Sequence, residues 1–169
     1  MRPRRLPILL LLAAFALMAH GCGYSVAGKG GRMPGGITEM AVPVFVNDTM
    51  KPDIEGAVTS AFVNEMVNTV NITSGADAVM RGVIKSYSLK PVSFTKSDVN
   101  IEYRLTVSIS LSITRDGKVV WEDENISDYE DFTVDTSDVV ATRDAERAAL
   151  EKLARDTARS VKESILSRF

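Results

Sequence analysis

From Ile101 to Thr114 every second residue is apolar: Ile101, Tyr103, Leu105, Val107, Ile109, Leu111 and Ile113 alternate with polar or charged neighbours. Side chains on a strand point to opposite faces in turn, so this pattern predicts a β-strand with one face in a core and the other in water. Asp116-Gly117 follows, a two-residue turn signal that folds the chain back antiparallel at Lys118. The returning strand matches its partner poorly. Pairing Arg115 with Lys118 sets Glu122, Glu124 and Asp128 opposite Leu111, Ile109 and Leu105, and a one-residue shift brings in Trp121 together with Asp123 and Asn125. The strand is therefore expected to bulge or to leave the sheet midway. Upstream, residues 78–89 are rich in β-formers and read as a further strand, and 71–77 as a polar turn or a short irregular strand. Within 37–46, Met40, Val42, Val44 and Val46 alternate as one more strand. It contains Pro43, which has no N–H for a ladder, so an edge position or a bulge is expected there.

Elsewhere the apolar period is helical. Over 52–68, Ile54, Val58, Ala61, Phe62 and Met66 fall on one stripe, with Pro52 suited to the first turn and Asp53 and Glu55 to the positive end of the dipole. Gly56 inside that helix points to a close neighbour. Over 139–167, Leu150, Leu153, Ala154, Val161 and Ile165 share one side, and Asp144/Arg147, Glu151/Arg155 and Asp156/Arg159 are spaced to pair along the surface. The element order is β-α-β-β-β-α, and one face of the sheet is patterned for burial. These features predict an α+β two-layer sandwich, a four-stranded mixed β-sheet with two α-helices packed on one face.

The N-terminus follows a different logic. Arg2, Arg4 and Arg5 precede an apolar run from Leu6 to Ala19, and Gly21-Cys22-Gly23-Tyr24 comes next. As a helix that run spans roughly 21 Å, short of the roughly 30 Å hydrocarbon core, so it reads as an export signal over 1–21 and not as a membrane span. Cys22 is the only cysteine. Its setting resembles a bacterial lipobox, with Gly21 as the small residue before the cleavage point, although Ala19 stands where leucine is usual. A lone exposed thiol has no disulfide partner in an oxidising compartment, which favours lipidation of Cys22. Several acyl chains together give stable anchoring where one gives only marginal binding. Gly23 is not the aspartate that retains lipoproteins in the inner membrane, so the expected location is the periplasmic face of the outer membrane. Six glycines and one proline over 23–36 predict a flexible tether over 22–36, ahead of a single domain at 37–169.

Composition narrows the chemistry. Beyond the signal the chain carries 17 basic against 22 acidic residues, a net charge near −5, which speaks against nucleic-acid binding. His20, the only histidine, lies within the signal. The mature chain then has no Ser-His or Cys-His device and no histidine or free thiol for zinc, so neither catalysis, a cofactor nor a metal site is expected. The acidic run Trp121–Asp131 lacks the spacing of a calcium-binding loop.

GCGY at the lipidation site, followed by MPGGI and then MAVPVFVNDTMKPDIEGAVTSAF, resembles the LptE-like family of lipopolysaccharide-assembly lipoproteins. Pro43, Phe45, Asn47, Thr49, Pro52, Ile54 and Glu55 stand where that family carries a strand-to-helix motif. Locally, Asn47-Asp48-Thr49 is also turn and helix-start chemistry. The resemblance implies a non-enzymatic plug in the periplasmic end of an LptD-type outer-membrane β-barrel, which it helps to assemble, and contact with lipopolysaccharide on its way to the outer leaflet. The residues alone leave open a non-catalytic subunit of another envelope assembly.

Lipopolysaccharide carries phosphates, so a protein that touches it needs clustered cations. If the strands at 78–89 and 101–114 form a hairpin, Lys85, Lys90, Lys96 and Arg104 gather at the end where they connect, beside Val92 and Phe94. These four are the candidate lipopolysaccharide-binding residues. Glu130 and Asp131 are expected to approach the same end and neutralise part of the charge.

Overall fold

The computed structural model describes residues 33–94 and 100–167. In chain order, a 3-10 turn at Pro34–Gly36 leads to β1 (Glu39–Met40), β2 (Val46–Asn47), α1 (Glu55–Met66), β3 (Asn71–Ile72), β4 (Ala78–Phe94), β5 (Asn100–Arg115), β6 (Lys118–Thr133) and α2 (Val139–Ser167). The main sheet runs β2-β4-β5-β6, with β2 parallel to β4 and the other pairs antiparallel. Apolar side chains of α1, α2 and one sheet face form a continuous core that includes Phe62, Met66, Met80, Ile84, Leu105, Ile109, Leu153 and Ile165. The α+β sandwich read from the periodicity is the observed architecture.

The strand expected at 37–46 is two short strands in two sheets. β1 pairs in parallel with β3, and β2 joins β4. Pro43 lies between them, exposed, where its missing N–H interrupts any ladder. Past Pro43 the side-chain phase reverses: Val44 and Val46 are 66% and 55% exposed, whereas Phe45 is 2% exposed. The Phe45 ring lies where a side chain at position 82 would otherwise sit, since a Cβ on Gly82 would come within 2.5 Å of its Cδ2. Gly56, by contrast, has nothing within 4 Å of such an atom, so no close neighbour accounts for it. Chain order also starts earlier than expected, because Met33 and Pro34 are already buried and Arg115 Nη1 donates to the Gly35 carbonyl.

β6 resolves its conflict by bulging twice. Arg115 pairs with Lys118 across a turn in which Asp116 (φ 50°) and Gly117 (φ 73°) are both left-handed, the geometry that matches strand twist. One register shift then brings Trp121 opposite Ile113, and a second brings Ile126 opposite Ile109. Asp128 and Glu130 do fall opposite Val107 and Leu105 on the helix side of the sheet. They are tolerated there because α2 supplies partners: the Thr157 hydroxyl donates to Asp128 Oδ2 (3.1 Å) and Lys152 Nζ to Glu130 Oε2 (2.5 Å). Two of the strand's own carboxylates also occupy its backbone donors, Asp123 accepting from the Asn125 N–H (3.0 Å) and Asp128 from the Tyr129 N–H (2.8 Å).

The helix at 52–68 is shorter than its stripe implied, starting at Glu55. Pro52 and Asp53 form a turn ahead of it, with Asp53 at φ 62°. Helix α2 matches its pattern from Val139 to Ser167, and its surface pairs form at 2.9 Å (Asp144/Arg147), 3.9 Å (Glu151/Arg155) and 3.7 Å (Asp156/Arg159).

Candidate functional site

The strand-to-helix connection, residues 43–55, is densely hydrogen-bonded. Asn47 closes it with its full hydrogen-bonding capacity. Its Nδ2 donates to the Lys51 carbonyl (2.8 Å) and to Glu55 Oε2 (3.0 Å), while its Oδ1 accepts from the Thr49 N–H (3.0 Å) and the Thr49 hydroxyl (2.8 Å). The Thr49 hydroxyl in turn accepts from the Lys51 N–H (3.1 Å). Phe45 and Ile54 anchor the two ends of the loop in the core. The Phe45 ring packs against Phe62 with centroids 5.2 Å apart, and its N–H donates to Thr59 Oγ1 on α1 (2.9 Å). Pro43 and Pro52 are exposed and restrict the backbone on either side.

A second cluster locks this loop onto α2. Lys51 Nζ donates to Glu146 Oε1 (2.7 Å), the Tyr87 hydroxyl donates to the same oxygen (2.5 Å), and Lys51 sits 5.5 Å from the Tyr87 ring centroid. Burial works against the charged form of Glu146, but donation from Lys51 and Tyr87 prevails and holds its carboxyl below the usual range. Burial and the neighbouring carboxylate push the Tyr87 phenol up. None of Lys51, Tyr87 and Glu146 is a candidate on sequence grounds, since the partners lie 59 and 95 residues apart and no local pattern joins them.

The candidate cations distribute unevenly. Lys90 and Arg104 are direct cross-strand partners on the sheet face away from the helices. Arg104 is engaged there, forking onto Asp131 through two 2.7 Å bonds and lying 4.1 Å from the Tyr129 ring centroid. Glu130 points to the opposite face, toward Lys152. Lys90 is exposed. Lys85 lies midway along β4, beside the bulge at Ile84/Ser86, and reaches across to the Glu124 carbonyl (3.2 Å), so it stands apart from the Lys90–Arg104 pair. Lys96, the Phe94 side chain and Cys22, with the expected signal and most of the tether, are outside the described residues. Along β5 the same open face presents Thr106, Ser108, Ser110, Ser112 and Thr114. Among the described residues no cluster of His, Cys, Asp or Glu is placed to hold a metal ion, and no helix is long and apolar enough to cross a membrane.

A mixed sheet backed by two helices is an architecture found among solved lipoproteins. A solution structure of lipoprotein B from Nitrosomonas europaea superimposes with a TM-score of 0.53 at 12% identity, covering 87% of this chain and 92% of that one. The rare lipoprotein B from Shewanella oneidensis gives 0.50 at 14% identity, covering 77% and 95%. At such identities the likeness is one of fold. No curated protein is similar enough in sequence to count as a relative. The family is settled by sequence: residues 37–165 match the LptE family, described as lipopolysaccharide-assembly, and the chain belongs to it.

Proposed function

We propose that this protein is an outer-membrane lipoprotein, processed after residue 21 and lipidated at Cys22, which plugs and helps assemble an LptD-type β-barrel and contacts lipopolysaccharide as it passes to the outer leaflet. It acts by binding, without catalysis. The observation that carries this reading is the family match over 37–165, which takes in the whole strand-to-helix loop and the sheet.

The physical features agree with a plug. The loop and α2 are cross-tied, so the body can enter a rigid host at little conformational cost. The hydroxyl-lined open face along β5 suits the polar interior of an outer-membrane barrel. For lipopolysaccharide, the Lys90–Arg104 pair together with Lys96 is the proposed phosphate contact, and Lys85 a secondary one, since it sits farther along β4.

Isolation of the lipidated protein from outer membranes tests the reading. Recovery of an LptD-type barrel in stoichiometric amount, with Cys22 carrying acyl chains by mass spectrometry, is the expected result. An unacylated chain free in the periplasm, or a different envelope complex on the beads, overturns it. Lys90→Glu combined with Lys96→Glu is expected to weaken lipopolysaccharide binding; unchanged binding removes these two lysines from the proposal.

A further inference from the structure

Where β4 and β5 outrun the helices, a groove of about 460 Å³ opens between the end of the sheet and the first turns of α2. Its walls are Leu89, Tyr103, Phe132, Val134 and Val139, with Asp135 and Glu146 among the polar groups that line it. Leu89 is 39% exposed and Val139 67%, an unusual setting for large aliphatic side chains that meet one another across a concavity. This groove lies on the helix side of the sheet, the face opposite the Lys90–Arg104 pair.

Its charge identifies what it takes. Among the described residues no lysine or arginine lines it. Asp135 has no ionic partner among the described residues and is held in its charged form by hydrogen bonds from the Ser137 hydroxyl and N–H. The N-terminus of α2, which would otherwise favour an anion, is already occupied by the Asp138 carboxylate, acceptor for the N–H groups of Val140 and Ala141. An anionic amphiphile would bring its phosphates up to these carboxylates. The chain's own N-terminal segment enters at the far end of the sheet, where Gly35 meets Arg115.

Resting on the function proposed above, we infer that this groove is a docking site for a segment of the barrel partner that is apolar and carries a lysine or arginine: the apolar side chains fill the space between Leu89 and Val139, and the cation meets Asp135. The groove then engages a barrel segment on the helix side of the sheet, while the Lys90–Arg104 end of the opposite face is left for the glycolipid.

The test places a photo-crosslinking benzoylphenylalanine at position 139 of the full lipidated chain in cells. The expected product is an adduct with the barrel, mapped to an apolar peptide containing lysine or arginine. Asp135→Asn keeps an acceptor for Ser137 while removing the charge, and is expected to lower adduct yield by roughly three- to ten-fold. A lipopolysaccharide adduct, an adduct within the chain itself, or an undiminished yield from Asp135→Asn overturns the inference. So does the absence of any adduct while the barrel still copurifies, which leaves the proposed function standing. Absence of the barrel from the purified material overturns both.

Discussion

Replacing Phe45 with alanine probes the join between loop, helix and sheet. The ring is 2% exposed, lies 5.2 Å from the Phe62 centroid, and covers the bare backbone of Gly82. Deleting a buried phenylalanine of this kind costs about 3–5 kcal/mol, the transfer of the ring plus the cavity it leaves. In a domain of this size the melting temperature should fall by roughly 10–20 °C. Urea titration followed by far-ultraviolet circular dichroism measures the loss directly, with the slope unchanged if only stability is affected. Gly82→Ala adds the sharper half of the experiment. In the wild-type background its Cβ would sit 2.5 Å from the ring, and overpacking of that kind costs about 1–3 kcal/mol. In the Phe45→Ala background the new methyl enters vacated space, so most of that cost should vanish and the pair should couple by about 1–2 kcal/mol. Strictly additive losses, or a Phe45→Ala variant that melts within a degree of the wild type, would refute the packing described here.

Other expectations follow from the bonded clusters. Asn47→Ala strips four hydrogen bonds from the loop and should cost about 1–3 kcal/mol by the same titration, with Asn47→Asp recovering only part because it cannot donate to Lys51 and Glu55. Glu146 has its carboxyl lowered by folding, so the stability it contributes is complete above its ordinary value of 4.5 and is lost as pH falls through the folded value. Melting curves between pH 7 and 3 should accordingly slope less steeply for Glu146→Gln than for the wild type. Arg104→Glu places a carboxylate against Asp131 in place of a bidentate pair, so it should lower the melting temperature where Lys90→Glu does not. Trp121, the only tryptophan, is buried at 4% exposure and should emit at short wavelength when folded, shifting to the red in the same urea range as the circular dichroism change.

What was legible in the chain was periodic. The alternation from Tyr103 to Ile113 and the stripes of both helices map onto the observed core or its margin, since each depends only on one element facing one core, whereas Ile101 is 36% exposed. The reversal at Pro43 was hidden because the residue that turns Phe45 inward is Gly82, whose contribution is a missing side chain on another strand. Likewise Asp128 and Glu130 read as misfits until α2 brings up Thr157 and Lys152, and nothing near them in the chain announces those donors. The motif from Pro43 to Glu55 was visible by resemblance, with Asn47 and Thr49 also intelligible as turn formers; the Lys51–Tyr87–Glu146 lock needs three separate elements and has no local signature.

The ragged margin of β6 has a consequence for the proposed residence beside a protein made wholly of strands. With two register slips and with Asp123 and Asp128 stopping up backbone donors, that margin offers a poor template for zippering onto foreign β-structure. In the barrel proposed as its host, a guest built this way would keep its own outline and not be stitched into the wall as one more stave.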